Sequence, residues 1–157
     1  MQEAETVTVQ VAVHPDPTVA RLGFDLNHQY LEWCWTPILG PAGVALLRRL
    51  AALCRENDHV SRPVATLAEE LGVKPATLRR TLDRVESFGF ISLPRSGARD
   101  LYATVAPLTT RQLDKLPTAV QQAHGRFIDE HLAVITGPTT ARLHQLQRNA
   151  TPPALQR

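Results

Sequence analysis

The sequence predicts a mainly α-helical fold with a small amount of β structure. Residues 66–72 and residues 75–88 have the patterns of two short helices joined by a glycine turn. Four valines alternate with other residues between positions 7 and 13, which predicts a half-buried strand. Two further strand-like runs follow Gly89 and predict a hairpin. With 157 residues the chain can bury one good core, so we expect one domain with terminal extensions.

The composition is that of an ordinary globular protein, with 43% hydrophobic and 20% charged residues. The longest apolar-rich segment, GPAGVALLRRLAALC, contains Arg48 and Arg49 and is too short to span a bilayer. The first residues, MQEAETVTVQ, lack the basic start and apolar core of a secretory signal. We therefore expect a cytoplasmic protein without a membrane helix.

The sequence offers little support for metal binding or catalysis. Cys34 and Cys54 lie in apolar surroundings without C-x-x-C spacing, which predicts buried, reduced and unreactive thiols. His124 and His131 are two helical turns apart, about 10 Å, which is too far for one ion. The chain contains none of the common hydrolase, metalloprotease or nucleotide-binding motifs. We predict no enzyme activity, no metal and no cofactor.

The N-terminal third combines a strand with helices. The strand ETVTVQVAV ends at HPDP, because two prolines forbid a continued ladder, and it needs a partner: the hairpin or a second copy of the chain. The segment LNHQYLEWCWTPILGPAG predicts a short helix, a bend, and a new helix that begins near Pro41. The apolar face of that new helix consists of Leu46, Leu47, Leu50, Leu53 and Cys54.

The next two helices are short. Thr66 and Glu69 have the spacing of a capping box at a helix start. This helix is predicted to end where Gly72 adopts a left-handed conformation, and the next begins at Pro75. The second helix directs Leu78, Leu82 and Val85 toward the core and places outward Ala76, Arg79, Arg80, Asp83 and Arg84, with Lys74 and Thr77 near its N-terminal end.

Positive charge is concentrated around this second helix. The hairpin runs FISLP and LYATVAP are joined by RSGARD, in which Gly97 supplies the turn and Arg95 and Arg99 flank it. From Ser61 to Arg99, seven cationic residues stand against four acidic ones, a net charge of +3 in a chain whose total is +2. Such a local excess favours a polyanionic partner.

The C-terminal third is predicted to be helical. TTRQLDKLP indicates a short helix, and TAVQQAHGRFIDEHLAVI indicates a longer one that we expect to stop at Gly137-Pro138. The apolar positions of the longer helix are Val120, Ala123, Phe127, Leu132 and Ile135. TTARLHQLQRN is compatible with a last helix, and residues 150–157 with a tail.

The order of these elements resembles the winged helix-turn-helix domain of the broad bacterial kind. The resemblance covers residues 39–107 and depends on the LAEELGV turn, the TLRRTLDRVESFGFI helix that runs into a strand, and the RSGARD wing. YLEWCWTPILGPAGVALLRRLAAL also resembles, more weakly, the lead-in of DnaD-type replication domains. The implied organisation is an N-terminal strand and lead-in helix (1–38), the winged domain (39–107), a helical dimerisation region (108–149) and a flexible tail (150–157).

For such a fold, the resemblance implies that the second helix enters the DNA major groove and that the wing contacts an adjacent groove. The candidates for contacts with base edges are Ala76, Thr77, Arg79 and Arg80. The candidates for phosphate contacts are Arg62, Lys74 and Arg84. Arg95 and Arg99 are expected in or beside the minor groove. Lys74 departs from the usual pattern, since Ser or Thr is commoner at an N-cap.

We therefore expect a homodimeric, sequence-specific binder of double-stranded DNA that acts as a transcriptional regulator, with repression as the expected mode of action. Similarity to MarR-type regulators, which dimerise through helices flanking the winged domain, favours the dimer. Two alternatives remain open: a DNA-binding replication or plasmid/phage maintenance protein, and a winged-helix adaptor that binds protein. A solvated helix face paired with Asp83 and Glu86 is the simplest alternative for the arginines alone.

Overall fold

The protein has a mainly helical fold with a small mixed sheet, as the sequence predicts. The structure, a computed structural model, describes residues 5–92 and 97–149, with side chains up to residue 134. The helices are α1 (Pro17–Leu22), α2 (Thr36–Glu56), α3 (Val64–Leu71), α4 (Pro75–Ser87), α5 (Thr110–Leu113) and α6 (Thr118–Asn149). The strands are β1 (Thr6–Ala12), β2 (Phe24–Asp25), β3 (His59–Pro63), β4 (Arg99–Tyr102) and β5 (Thr104–Val105).

The N-terminal strand is the central strand of the main sheet. The strand order is β3-β1-β4, with β1 antiparallel to β3 and parallel to β4, while β2 and β5 form a second, two-stranded sheet. Val7 and Val9 are buried, but Val11 and Val13 are 50% and 79% exposed. The valine side chains of the predicted pattern are therefore buried only in the first half of the strand. β1 thereby joins the N-terminal region and residues 39–107 in one sheet.

The hairpin predicted after Gly89 is present in part. Ile91 forms an antiparallel bridge with Leu101 of β4, and the Ser92 N–H donates a hydrogen bond to the Asp100 carbonyl at 2.9 Å. Residues 93–96, including Arg95, lie outside the described residues.

Helix α2 bends where the sequence predicts a break. A π-helical turn, Leu31–Trp35, runs directly into α2, and Gly40 interrupts the helical backbone with φ of 79° and ψ of 160°. Pro41 then starts the longer part of α2, whose buried face includes Leu46, Leu47 and Leu50. Within the described residues, the segment Leu31–Glu56 is the one helix long and apolar enough to cross a membrane, a test that buried core helices also pass. Here its apolar face packs against α4, and a cytoplasmic location stays a prediction.

Helix α3 begins earlier than predicted, and the predicted capping box is wrong. The helix starts at Val64 after Pro63, without a side-chain cap. The reason is a tertiary contact: the Val64 N–H donates to the carbonyl of Glu5 at 2.8 Å, so the residue before β1 supplies the acceptor. Thr66 consequently lies inside the first turn rather than before it.

Helix α6 runs without a break from Thr118 to Asn149, so the predicted stop at Gly137-Pro138 is wrong. A proline removes one intrahelical donor and crowds one turn, which kinks a helix without necessarily ending it. Phe127 is 3% exposed in the core, whereas Val134 is 80% exposed. The first half of α6 therefore packs on the domain, while the side chain of Ile135 lies outside the described residues.

Candidate nucleic-acid interface

Helices α3 and α4 are joined by the tight turn that the sequence predicts. Gly72 has the left-handed conformation, with φ of 69° and ψ of 29°, and its N–H donates to the carbonyls of Ala68 and Glu69. The Val73 N–H also returns to the Ala68 carbonyl, at 3.0 Å. Lys74 occupies the N-cap of α4 in an extended conformation and makes no side-chain cap bond.

Helix α4 buries one face and exposes the other. Leu78, Leu82 and Val85 are buried, as predicted, against α2 and α3. The N-terminal half of the outer face exposes Lys74, Ala76, Arg79 and Arg80, with Thr77 half-buried. A single short surface of about two helical turns thus presents three cations beside small side chains.

Arg79 is held by a residue that the sequence did not single out. Its Nε lies 2.7 Å from Oε2 of Glu5, and the two side chains remain 50% and 57% exposed. The two residues are 74 positions apart, so no local pattern in the sequence indicates the pair. Arg80, by comparison, makes one long contact of 3.5 Å from its Nη2 to the Thr77 hydroxyl.

Arg84 has a structural partner at the bend of α2. Its Nε donates to the carbonyl of Ile38 at 2.7 Å. In a straight helix that carbonyl would accept an N–H four residues later, but Gly40 leaves the helical conformation. Arg84 therefore satisfies a carbonyl freed by the bend and ties α4 to α2.

Two further predicted cations, Arg62 and Arg99, also form ion pairs. Arg62 Nη1 lies 3.2 Å from Glu70 Oε1 on the surface. Arg99 forms an ion pair with Glu86, and both side chains are largely buried, at 22% and 10% exposure. Arg99 therefore joins β4 to the C-terminal end of α4, away from the exposed N-terminal half of that helix.

An aromatic and histidine cluster docks α6 on the domain. The rings of Phe24 and Tyr30 stack with their centroids 3.9 Å apart, and the ring of His131 also stacks on Phe24, with a centroid distance of 4.2 Å. His131 Nε2 lies 2.9 Å from the Leu22 carbonyl, and His124 contacts the Tyr30 hydroxyl. Sequence analysis indicated only that His124 and His131 are too far apart to share one ion, and it did not indicate this packing role.

Burial acts on two histidines of this cluster, His124 and His28, whose ring packs against Phe24. It lowers the pKa of His124. It also lowers the pKa of His28, assisted by His131 and Arg48 and opposed by Asp25 and Glu130. The described residues include no group of three His, Cys, Asp or Glu side chains placed to hold a metal ion.

Neither thiol has the surroundings of a nucleophile. Cys34 and Cys54 are buried and free. Burial raises the pKa of the Cys34 thiol to about 11, in spite of the nearby Arg126 guanidinium, and it also raises the pKa of Cys54. Both thiols are therefore protonated and unreactive at neutral pH.

A groove of about 840 Å³ lies along the bend in α2. Trp33, which is 56% exposed, lines it together with Pro37, Pro41 and Arg48. Trp35 points the other way, into the core, where its Nε1 donates to the Ala106 carbonyl at 3.1 Å. The two tryptophans thus occupy different environments.

Comparison of the chain with protein-family models, with curated proteins and with solved structures finds no match. The geometry of the site is consequently the basis for a functional assignment.

Proposed function

We propose that the protein binds double-stranded DNA as a homodimeric transcriptional regulator, with residues 39–107 acting as a winged helix-turn-helix domain. The observation that carries this proposal is the outer face of α4. Lys74, Arg79 and Arg80 are exposed there beside the small Ala76 and Thr77, directly after the Gly72 turn. In helix-turn-helix proteins, the exposed residues at the start of the second helix contact base edges in the major groove, and arginine is the commonest reader of guanine there.

The site residues take different roles in this proposal. Arg79 and Arg80 read base edges, with Ala76 and Thr77 allowing close approach, and Lys74 contacts a phosphate. Arg62 and Arg84 contact phosphates through groups that their intramolecular bonds leave available, and Arg95 reaches the minor groove from the wing. Arg99 contributes least, because its ion pair with Glu86 is largely buried and would have to break.

The proposed dimer uses α6. At 1.5 Å per residue its 32 residues extend about 48 Å, longer than the domain requires for packing. Val134 is 80% exposed on this helix. A dimer formed through α6 would carry two α4 helices, and dimeric proteins of this kind bind half-sites about 34 Å apart, one turn of DNA.

Selection from a random duplex pool, at two salt concentrations, tests the proposal. We expect the full chain to enrich a palindrome, and we expect the double variant Arg79→Ala/Arg80→Ala to lose it. The matched control is Arg49→Ala/Arg55→Ala, which removes the same charge from exposed positions on α2. Each lost base contact should weaken specific binding by about 1–3 kcal/mol, whereas the control should lose only a salt-dependent fraction.

The other outcomes assign the protein differently. Weak binding that disappears as the salt concentration rises, without enrichment of any sequence, would favour a replication or plasmid/phage maintenance protein that binds DNA without sequence preference. Absence of duplex binding at low salt would reject the DNA proposal and favour the protein-binding adaptor.

A further inference from the structure

We propose that Glu5 is a positioning residue that orients Arg79 for guanine recognition, an inference that rests on the proposed DNA binding. The Nε of Arg79 lies 2.7 Å from Oε2 of Glu5, the short distance of a charge-assisted hydrogen bond. Arg79 is on the exposed N-terminal half of α4, and Glu5 approaches it from the start of the central strand.

The backbone of Glu5 is fixed on two sides. Its carbonyl accepts the N–H of Val64, the first residue of α3, at 2.8 Å. The following residue, Thr6, is paired with Pro63 in the β1–β3 ladder. Because α3 packs on α4, the carboxylate of Glu5 is held by the same framework that holds Arg79.

The choice of guanidinium nitrogen determines what Arg79 offers to DNA. A guanidinium carries five N–H donors, and the bond to Glu5 uses the one on Nε. The two amino groups then form the fork that can meet O6 and N7 of guanine. Half of the Arg79 side chain remains exposed, so this fork can reach a groove.

The carboxylate also acts against unspecific binding. Glu5 is 57% exposed beside the cationic surface, where it repels phosphates that approach Arg79. A site specific for one partner commonly combines an attractive contact with a repulsive one of this kind. Glu5 should therefore raise the ratio of specific to unspecific affinity without raising unspecific affinity.

The test measures dissociation constants by fluorescence anisotropy, on the selected duplex and on a scrambled duplex, using the full chain. The variants are Glu5→Gln, Arg79→Ala and their combination. The control is Glu70→Gln, which removes the same charge from the partner of Arg62. Thermal unfolding of each variant establishes that it is folded, and Glu5→Asp, with its shorter reach, provides a second variant.

We expect Glu5→Gln to lower the specific-to-unspecific ratio by roughly threefold to thirtyfold, and to do so only when Arg79 is present. Glu5→Asp should also lower the specific-to-unspecific ratio, whereas Glu70→Gln should leave that ratio unchanged. Replacing the contacted guanine by 7-deazaguanine, which lacks the N7 acceptor, should weaken the wild type and have little effect on Glu5→Gln.

Several results would overturn the inference. An unchanged ratio in Glu5→Gln would mean that the pair is an ordinary surface ion pair, and tighter binding to the selected duplex would make Glu5 an inhibitor of Arg79. An equal loss in the Arg79→Ala background would show that Glu5 acts through another residue. Failure of the wild type to bind any duplex would refute the proposed function itself, and the inference with it.

Discussion

The hydroxyl of Tyr30 lies 2.7 Å from Nδ1 of His124, a residue 94 positions later in the chain. The same hydroxyl accepts the N–H of Leu108 at 2.8 Å. Because a hydroxyl has two lone pairs, the Tyr30 oxygen can accept from the Leu108 N–H and still either donate its hydrogen to an unprotonated Nδ1 or accept from a protonated one, according to the tautomer of His124. This part-buried contact joins α6 to the domain, and the burial that lowers the pKa of His124 couples the docking of α6 to the protonation of that imidazole.

Removal of the Tyr30 hydroxyl should destabilise the protein. Tyr30→Phe leaves the Leu108 N–H and His124 without their shared partner in a site that is 0% exposed. We expect the free energy of unfolding to fall by about 1–3 kcal/mol, measured by urea denaturation. Tyr102→Phe is the control, since its half-buried ring packs on His14, and it should change stability by less than about 0.5 kcal/mol. Equal effects of the two changes would contradict the assigned role of the Tyr30 hydroxyl.

Stability should decline as the pH falls below neutrality. Burial lowers the pKa of His28 and of His124 from the ordinary value of 6.5, so the folded protein binds protons less readily than the unfolded chain does. The contribution of these two neutral histidines to the free energy of unfolding is complete above pH 6.5. It is lost progressively as the pH drops from 6.5 toward their pKa values in the folded protein. Urea denaturation between about pH 7.5 and about pH 5.5 measures this, above the range where carboxylates titrate.

Histidine replacements separate this effect from other titrations. His28→Asn combined with His124→Gln should flatten the pH dependence in that interval. The exposed His59, changed to Gln, should leave it unaltered. A pH dependence that persists in the double variant would place its origin outside the aromatic and histidine cluster.

The bend in α2 should require glycine. Gly40 has φ of 79° and ψ of 160°, a region that is essentially restricted to glycine, although no atom would obstruct a Cβ there. Gly40→Ala should therefore cost about 1–3 kcal/mol, from backbone strain alone. Gly125→Ala, inside α6 and equally unobstructed, should instead stabilise by about 0.5–1 kcal/mol because alanine favours helix. Calorimetric melting should show shifts of opposite sign, and a shared sign would refute the explanation.

The bond from Arg84 to the Ile38 carbonyl should contribute to stability independently of DNA. Arg84→Ala removes the donor that satisfies the freed carbonyl, and we expect a loss of about 1 kcal/mol, kept small by solvent access. Arg49→Ala, an exposed change on α2, should cost almost nothing. Thermal denaturation without DNA makes the comparison. Indistinguishable midpoints would leave Arg84 with no structural role.

The turn between α3 and α4 could be predicted because its signals are local. Gly72 is required for the left-handed turn, Pro75 starts a helix well, and the spacing of Leu78, Leu82 and Val85 defines a buried face. The same reasoning failed at Thr66, because the first N–H of α3, that of Val64, donates to the distant carbonyl of Glu5 and the helix begins before the predicted capping box. It failed again at Pro138, because one missing donor does not end a long helix.

By itself, the sequence determined approximately where α2, α3 and α4 lie, where the tight turn lies, and which face of α4 carries positive charge. These properties follow from backbone preferences and from spacing within a few residues. Only the tertiary structure decided that Glu5 meets Arg79, that Arg84 reaches Ile38 and that Tyr30 meets His124. Such pairs depend on how sheet and helices pack around one core, and residues 46 to 94 positions apart leave no periodic signal in the chain.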